Sequence, residues 1–411
     1  MRDEINMDVS PAYPFSWQAA TLNAIMRGTF KPISDLLLRN DVGFAAASRI
    51  VALAGRVPFR LPVHVRVTPD DEGACPGEWV RAGEELDEGR VLLYFHGGGY
   101  FSCSPATHRP ITWRLSAATR RPVLSVDYRQ GPVHRPAEAL EDAIAAYRCL
   151  LGRGYDPADI VFAGDSAGGH LTLATLLALR DRDMPLPAAA VCLSPWADLT
   201  GAPRRVNRLL DPMIPAGRVD WLARRWTAGL DPRDPLLSPV LGDYTGLPPL
   251  MIVTGSTEVL RDEGRRVAER ARTAGVPVMY EEWPRMPHVF AILADVVPEA
   301  REVYPHIARF LAATQDLLPG RVASGLEMPD LAVPDLPVPD LPVPDLSGPD
   351  LVVPELSGPE LSVPDLAAAD LLLPGLAVPG PAQPVPSPED VPAAPATARR
   401  NRSGRSGSAA A

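Results

Sequence analysis

Three short stretches carry residue types that together could move an acyl group. Gly164-Asp165-Ser166-Ala167-Gly168-Gly169 sets a serine among glycines, with the apolar run DIVFAG leading into it and GGHLTLATLLALR following. That context predicts a strand that turns sharply into a helix, with the serine at the corner. Glycines on either side let the chain turn. The hydroxyl is then held exposed at a helix N-terminus, where developing negative charge is favoured. His96-Gly97-Gly98-Gly99 ends another apolar run, VLLYF. Three glycines there let backbone N–H groups approach a ligand without side-chain clash. A tetrahedral oxyanion needs such donors. His288 lies downstream of both, in a loop after the last apolar run, where it could serve as base to the serine.

These residues need a scaffold, and the rest of the chain supplies one. From Leu61 onward, short apolar or β-branched runs alternate with helical stretches. LPVHVRV, GEWVRAG, VLLYFH, PVLSVDY, DIVFAG, AAAVCLS, PPLMIVTG and VPVMYEEW read as eight strands. RLSAATR, AEALEDAIAAYRCLLGRG, AGGHLTLATLLALRDRD, EGRRVAERARTAG and EVYPHIARFLAATQ read as helices. Near-continuous apolar strands separated by helices imply a buried, mostly parallel sheet covered on both faces. Residues 1–55 look helical, with Trp17, Leu22, Ile25 and Met26 at roughly helical spacing, and could form a lid. A Pro- and Arg-rich interval at 203–234 breaks the alternation and could be a second piece of lid. Residues 56–318 form the α/β domain on this reading. From 319 to 411 the composition changes: proline recurs every five residues from Pro329 to Pro364, each followed by Asp or Glu and then Leu. Proline in every unit removes a backbone donor, and one leucine per unit supplies little core, so a disordered polyproline-like tail is expected over a pentapeptide-repeat β-helix. Its partner, if it has one, is unknown.

HGGG and GDSAGG give the chain a resemblance to the bacterial hormone-sensitive-lipase-like esterases of the α/β-hydrolase fold. The resemblance covers roughly residues 85–312 and includes VDYR at 126–129, ALEDA at 139–143, SPWADLT at 194–200, RDEG at 261–264 and MPHVF at 286–290. It implies an eight-stranded α/β-hydrolase sheet and a serine carboxylesterase acting through an acyl-enzyme on short- to medium-chain esters. It also implies oxyanion donors at the amides of Gly97, Gly98 and Ala167. The nucleophile would be Ser166 and the base His288. No cofactor or metal is implied, and no cofactor fingerprint is present.

Chain order Ser…acid…His places the acid after the strand PPLMIVTG. Glu258 stands there, where many of the family carry Asp. Asp262 is the rival, but it falls one turn further on, inside the next helix. Asp165 should support the turn beside the serine, and Asp198 follows the wrong strand. Of the seven histidines, His64 precedes any active-site loop and His306 sits in the terminal helix. His96 shapes the glycine loop and His170 packs on the helix after the serine. His108 and His134 are not excluded by spacing. Where the family commonly reads YRLAPEH, this chain has Val133 in place of the Glu, which removes an expected buried hydrogen-bond or ion-pair partner.

Composition narrows the alternatives. The net charge is −10, from 40 basic and 50 acidic residues, with no basic face, so nucleic acid is not an expected partner. The four cysteines, Cys75, Cys103, Cys149 and Cys192, are scattered without metal-ligand spacing, as free thiols in a reducing compartment would be. No apolar run reaches the roughly 18–20 residues of a spanning helix, and the first residues lack an apolar signal segment. A cytoplasmic enzyme with a small-molecule ester substrate is the expectation. Two other readings use the same residues: a deacetylase or ester hydrolase of a secondary metabolite, and a non-catalytic small-molecule receptor on the same fold.

Overall fold

The strands that lead into His96, Ser166 and Glu258 are buried along their whole length and almost wholly apolar. That is what a sheet buried on both faces requires. The computed structural model describes residues 7–54, 61–71, 76–202, 204 and 206–315, so the expected tail at 319–411 lies outside the described residues. Its strands are β1 (Met7–Val9), β2 (Val65–Asp70), β3 (Gly77–Ala82), β4 (Val91–Phe95), β5 (Val123–Val126), β6 (Ile160–Asp165), β7 (Ala189–Leu193), β8 (Leu250–Gly255) and β9 (Val278–Trp283). They form one sheet in the order β1-β9-β8-β7-β6-β4-β5-β3-β2. Only the β2–β3 and β3–β5 pairings are antiparallel; the other pairs are parallel.

Among the described residues the sheet has nine strands, where the sequence suggests eight. The extra one, β1, pairs its three residues with Met279, Tyr280 and Glu281 at the β9 edge. A three-residue strand is too short to show an alternating pattern.

Side chains alternate across the sheet, and two cores result. Leu93, Phe95 and Phe162 point to one face, with Ala139, Leu171 and Val267 from helices α5 (Pro136–Gly152), α6 (Ala167–Asp181) and α8 (Arg261–Thr273). Leu92, Tyr94 and Val161 point to the other, with Ile111 and Val303 from α4 (Pro105–Thr119) and α9 (Pro298–Gln315). Each Leu, Ile, Val and Phe side chain among them, fully buried, contributes about 1.5–3 kcal/mol. Helix α4 begins well before RLSAATR. Ser104 caps it with a capping box, and Pro105 occupies its first turn, where a missing N–H costs nothing.

Where residues 1–55 read as helical, Met7–Val9 is a strand and most of residues 17–54 is helical. α1 (Trp17–Ile25) runs through a π-helical turn at Met26–Phe30 into α2 (Lys31–Leu37), and α3 (Asp41–Ala54) follows. Ser16 caps α1 and donates its N–H and hydroxyl to the buried carboxylate of Glu299 on α9. On α3, Phe44 packs its ring against Phe101, Trp221 and Trp226. The last two belong to α7 (Ala216–Trp226), which the Pro- and Arg-rich interval contains. Buried Arg204 fastens that interval to the domain by pairing with Glu263 and Asp220, each at 2.6 Å. Burial lifts the Glu263 carboxyl to about 7 against the pull of Arg204. Among the described residues no helix is long and apolar enough to cross a membrane.

Val133 corrects one expectation. The residue is 81% exposed in the turn before α5, so no buried partner is lost there. The neighbouring Gly131 is the constrained position. A Cβ on it would come within 2.1 Å of the Trp226 ring.

Candidate active site

All the candidate residues follow the carboxyl ends of parallel strands, where open α/β sheets present their ligand crevice. Ser166 stands between the last residue of β6 and the first of α6, at φ 53° and ψ −115°. A non-glycine residue there is strained and must be held by its surroundings. The Ser166 N–H donates to the Leu193 carbonyl at 2.9 Å, and the Ser166 carbonyl accepts from His170 and Trp196 amides, both at 3.0 Å. The flanking glycines answer a different need. A Cβ on Gly164 would lie 2.4 Å from the Gly168 carbonyl oxygen, and one on Gly168 would lie 1.9 Å from that of Phe95. They let helix and strand backbones touch.

The imidazole of His288 bridges two side chains. Nε2 lies 2.9 Å from the Ser166 hydroxyl, and Nδ1 lies 3.0 Å from Glu258 Oε2. A carboxylate at Nδ1 fixes the proton there, so Nε2 offers its lone pair to the serine. Glu258 is completely buried. Its other oxygen accepts the Ser194 hydroxyl at 2.7 Å and the Gly255 amide. Ser194 in turn accepts from the Val289 amide at 3.0 Å, which ties the histidine loop to the acid. Burial disfavours the charged form of His288, but the hydrogen bond and charge of Glu258 outweigh it and hold the imidazole above its ordinary value. Burial pushes the Glu258 carboxyl up, opposed by the same histidine and by its other donors.

The other candidates stand apart from this line. Asp262 lies in the first turn of α8, and the carboxylate at His288 is that of Glu258. Asp198 caps its own loop, accepting from Thr200, and pairs with Arg266. Asp165 is buried and accepts from Tyr94 Oη at 2.6 Å and the Gly97 amide at 2.9 Å; His108 Nε2 lies 3.2 Å from it. Burial opposes its charge, yet His108 and Tyr94 hold its carboxyl below the usual range. His108 is thus committed to Asp165. His170 lies between Tyr100 Oη (2.6 Å) and the Leu237 carbonyl (3.0 Å), and burial lowers it to about 4. His134 is 4.0 Å from Glu138 on the surface, His306 pairs with Glu281, and His64 meets the Trp113 ring.

The glycine loop requires one correction. The Gly97 N–H is already given to Asp165, so it is not a free donor. His96, which burial holds down near 3 and therefore neutral, places Nδ1 2.7 Å from the Gly97 carbonyl. The Gly98 carbonyl accepts from Ser102 Oγ at 2.9 Å and from the Phe101 and Ser102 amides at 3.1 Å. In a trans peptide the N–H points opposite to the C=O. Anchoring these two carbonyls therefore leaves the N–H groups of Gly98 and Gly99 on the opposite edge. Neither they nor the Ala167 amide has an acceptor among the described residues. Gly98 at φ 113° and Gly99 at φ 62° need glycine for this path. The tie between Gly97 and Asp165 lies beyond what sequence spacing can reveal, because it joins residues 68 apart. Asn207 and Asp211, which also surround Glu258, carry no local signal, and Ser194 opens the SPWADLT stretch without revealing its bond to Glu258. Among the described residues no group of three or more His, Cys, Asp or Glu side chains is placed to hold a metal ion.

Comparison with known proteins gives this arrangement its family. The α/β-hydrolase-fold profile matches residues 92–292. The chain is 46% identical over 241 residues to an acetyl-hydrolase of Streptomyces hygroscopicus, covering 58% of this chain and 80% of that one. It is 29% identical over 304 residues to an esterase of Acinetobacter venetianus, covering 73% and 98%. A crystal structure of an esterase from the bacterial hormone-sensitive lipase family superposes with TM-score 0.66 at 34% identity, covering 74% of this chain and all of that one. The structure of EstE5 soaked with p-nitrophenyl butyrate superposes with TM-score 0.67 at 33% identity, covering 73% and 99%. The chain belongs to the bacterial hormone-sensitive-lipase-like esterases of the α/β-hydrolase fold and is a carboxylic ester hydrolase.

Proposed function

We propose that the chain hydrolyses short- to medium-chain carboxylic esters through an acyl-enzyme on Ser166, with His288 as general base and Glu258 as the acid that orients it. The observation that carries the reading is the unbroken line from Ser166 Oγ through His288 to Glu258, at 2.9 and 3.0 Å. His288 Nε2 takes the hydroxyl proton as Ser166 Oγ attacks the ester carbonyl. The imidazolium formed is stabilised by Glu258. The oxyanion is held by the amides of Gly98, Gly99 and Ala167, which lack other acceptors among the described residues. His288 then protonates the departing alkoxide. Water enters, loses a proton to the same nitrogen, and releases the acid.

The N-terminal helices and the interval at 203–234 are lid pieces on this reading. An acetyl ester is the favoured substrate within the class, because the Streptomyces relative is an acetyl-hydrolase. A cytoplasmic location belongs to the same proposal, supported by free thiols at Cys103, Cys149 and Cys192.

The test is hydrolysis of p-nitrophenyl esters from acetate to palmitate by wild type and Ser166→Ala, with intact-mass detection of the acyl-enzyme. Turnover that peaks at short chains and vanishes with the serine is expected. Turnover that survives in Ser166→Ala would overturn the assignment.

A further inference from the structure

Three polar side chains recur at four-residue spacing along the α1–α2 run, and each donates to a backbone carbonyl beside the candidate site. Asn23 Nδ2 donates to the Arg285 carbonyl at 3.0 Å, in the loop that leads to His288. Arg27 donates to the carbonyls of Leu209 and Leu210, both at 2.8 Å. Lys31 Nζ donates to the Asp211 carbonyl at 2.6 Å and that of Arg208 at 3.4 Å. Residues four apart share a face of an α-helix. The row passes through the π turn at Met26–Phe30, a local widening that often accompanies function.

The loop they hold grips the acid in turn. Asn207 Nδ2 donates to the carbonyls of Ser256 at 2.7 Å and Glu258 at 2.9 Å. Asp211 is completely buried. One of its oxygens accepts the Val259 amide at 2.9 Å, and the other accepts the Met213 and Ile214 amides at 2.8 Å. The backbone is therefore fixed on both sides of Glu258. Glutamate has one more rotatable bond than aspartate, so the placing of its carboxylate depends on a fixed backbone.

We propose that Asn207 and Asp211 are positioning residues for Glu258, and that Arg27 and Lys31 position both by holding the carbonyls of the loop between them. The N-terminal arm and the triad then form one hydrogen-bonded chain from Arg27 to Ser166. This rests on the function proposed above. It makes the arm a part of the machinery that sets turnover, in addition to covering the pocket.

Three carboxylates act on His288: Glu258 from its own turn, Asp211 from the clamped loop, and Asp165 from the end of β6. Loosening the clamp moves the first two away and leaves Asp165 in place. The imidazole is then easier to deprotonate, and the acid limb of activity moves to lower pH.

The experiment uses the full chain with Asn207→Ala, and separately Arg27→Met combined with Lys31→Met, which keeps the apolar stems and removes the donors. Three readouts are taken on p-nitrophenyl acetate and by NMR: kcat and KM, the pH profile of kcat/KM, and the downfield resonance of the His288 Nδ1 proton, assigned by its loss in His288→Ala. Both variants should lower kcat about tenfold or more with KM within about twofold, since a small misplacement of a reacting group is costly. The acid limb should move to lower pH and the Nδ1 resonance upfield, and Arg27→Lys should recover part of the loss. Unchanged kcat with an unchanged resonance, or a rise in KM alone, would overturn the clamp. Ser166→Ala is run alongside. If turnover survives in it, the serine mechanism falls, while the Nδ1 resonance, which needs no activity, still decides the clamp.

Discussion

The carboxylate of Asp165 takes the amide of Gly97 at 2.9 Å and turns away from its own neighbour, Ser166. It thereby couples the corner that carries the serine to the loop that carries the free amides. Asp165→Ala should leave Tyr94 Oη, the Gly97 N–H and His108 without their shared acceptor, all in the interior. A loss of about 3–5 kcal/mol is expected, since the partners of a buried charge are stranded. Chemical denaturation checks it. Where the variant folds, kcat should fall more than KM rises, because the misplaced groups act on the transition state.

Activity and stability should respond to pH in opposite directions around His288. In the proposed mechanism the imidazole must be neutral to accept the serine proton, and Glu258 holds it above its ordinary value of about 6.5. The acid limb of kcat/KM should therefore fall above that value. A group raised on folding contributes stability that is fully present below its unfolded value and is lost as pH rises through its folded value. Between those two values the protein should lose stability while it gains activity. Glu258→Gln, which removes the cause, should lower the acid limb; a limb that stays put would assign it to another group.

Glu258→Gln and Glu258→Asp separate charge from reach. Glutamine keeps the length but places an amide where one oxygen accepts Ser194 and Gly255 and the other faces His288. A fall in kcat of roughly 10⁴-fold is expected, by analogy with loss of charge and tautomer control in other triads. Aspartate keeps the charge and loses a methylene. Its oxygens should fall short of His288, with a loss on the order of 100-fold in kcat.

Two glycines should behave oppositely on substitution. Gly168→Ala forces a methyl to 1.9 Å from the Phe95 carbonyl, so severe destabilisation or failure to fold is expected. Gly152 closes α5 with open space around it, and Gly152→Ala should stabilise by about 0.5–1 kcal/mol. Thermal melts of the pair check both.

That Ser166, His288 and Glu258 come together could be read from the sequence because each lies within a few residues of a strong local pattern. Ser166 follows six apolar-to-turn residues and precedes a helix buried from Ala167 to Leu179, and Glu258 follows a wholly buried strand. What could not be read depends on contacts between distant segments. Gly97 looks like a free donor until Asp165 is seen to hold it. The Glu of the family motif, absent at Val133, reads as a buried partner, and the position is exposed. Asn207 and Asp211 lie in a stretch without periodicity, and their role appears only where the chain returns to Ser256–Val259. Edge strand β1 is too short to signal itself at all.

The backbone at Ser166 has one more consequence. At φ 53° the natural occupant is glycine, and serine is tolerated there only because the flanking strand and helix leave it no other path. Ser166→Gly would remove the proposed nucleophile and relax the corner together. Any directed-evolution campaign that rewards melting temperature alone therefore has a short route to an inert protein, and a screen on this scaffold must score turnover in every round.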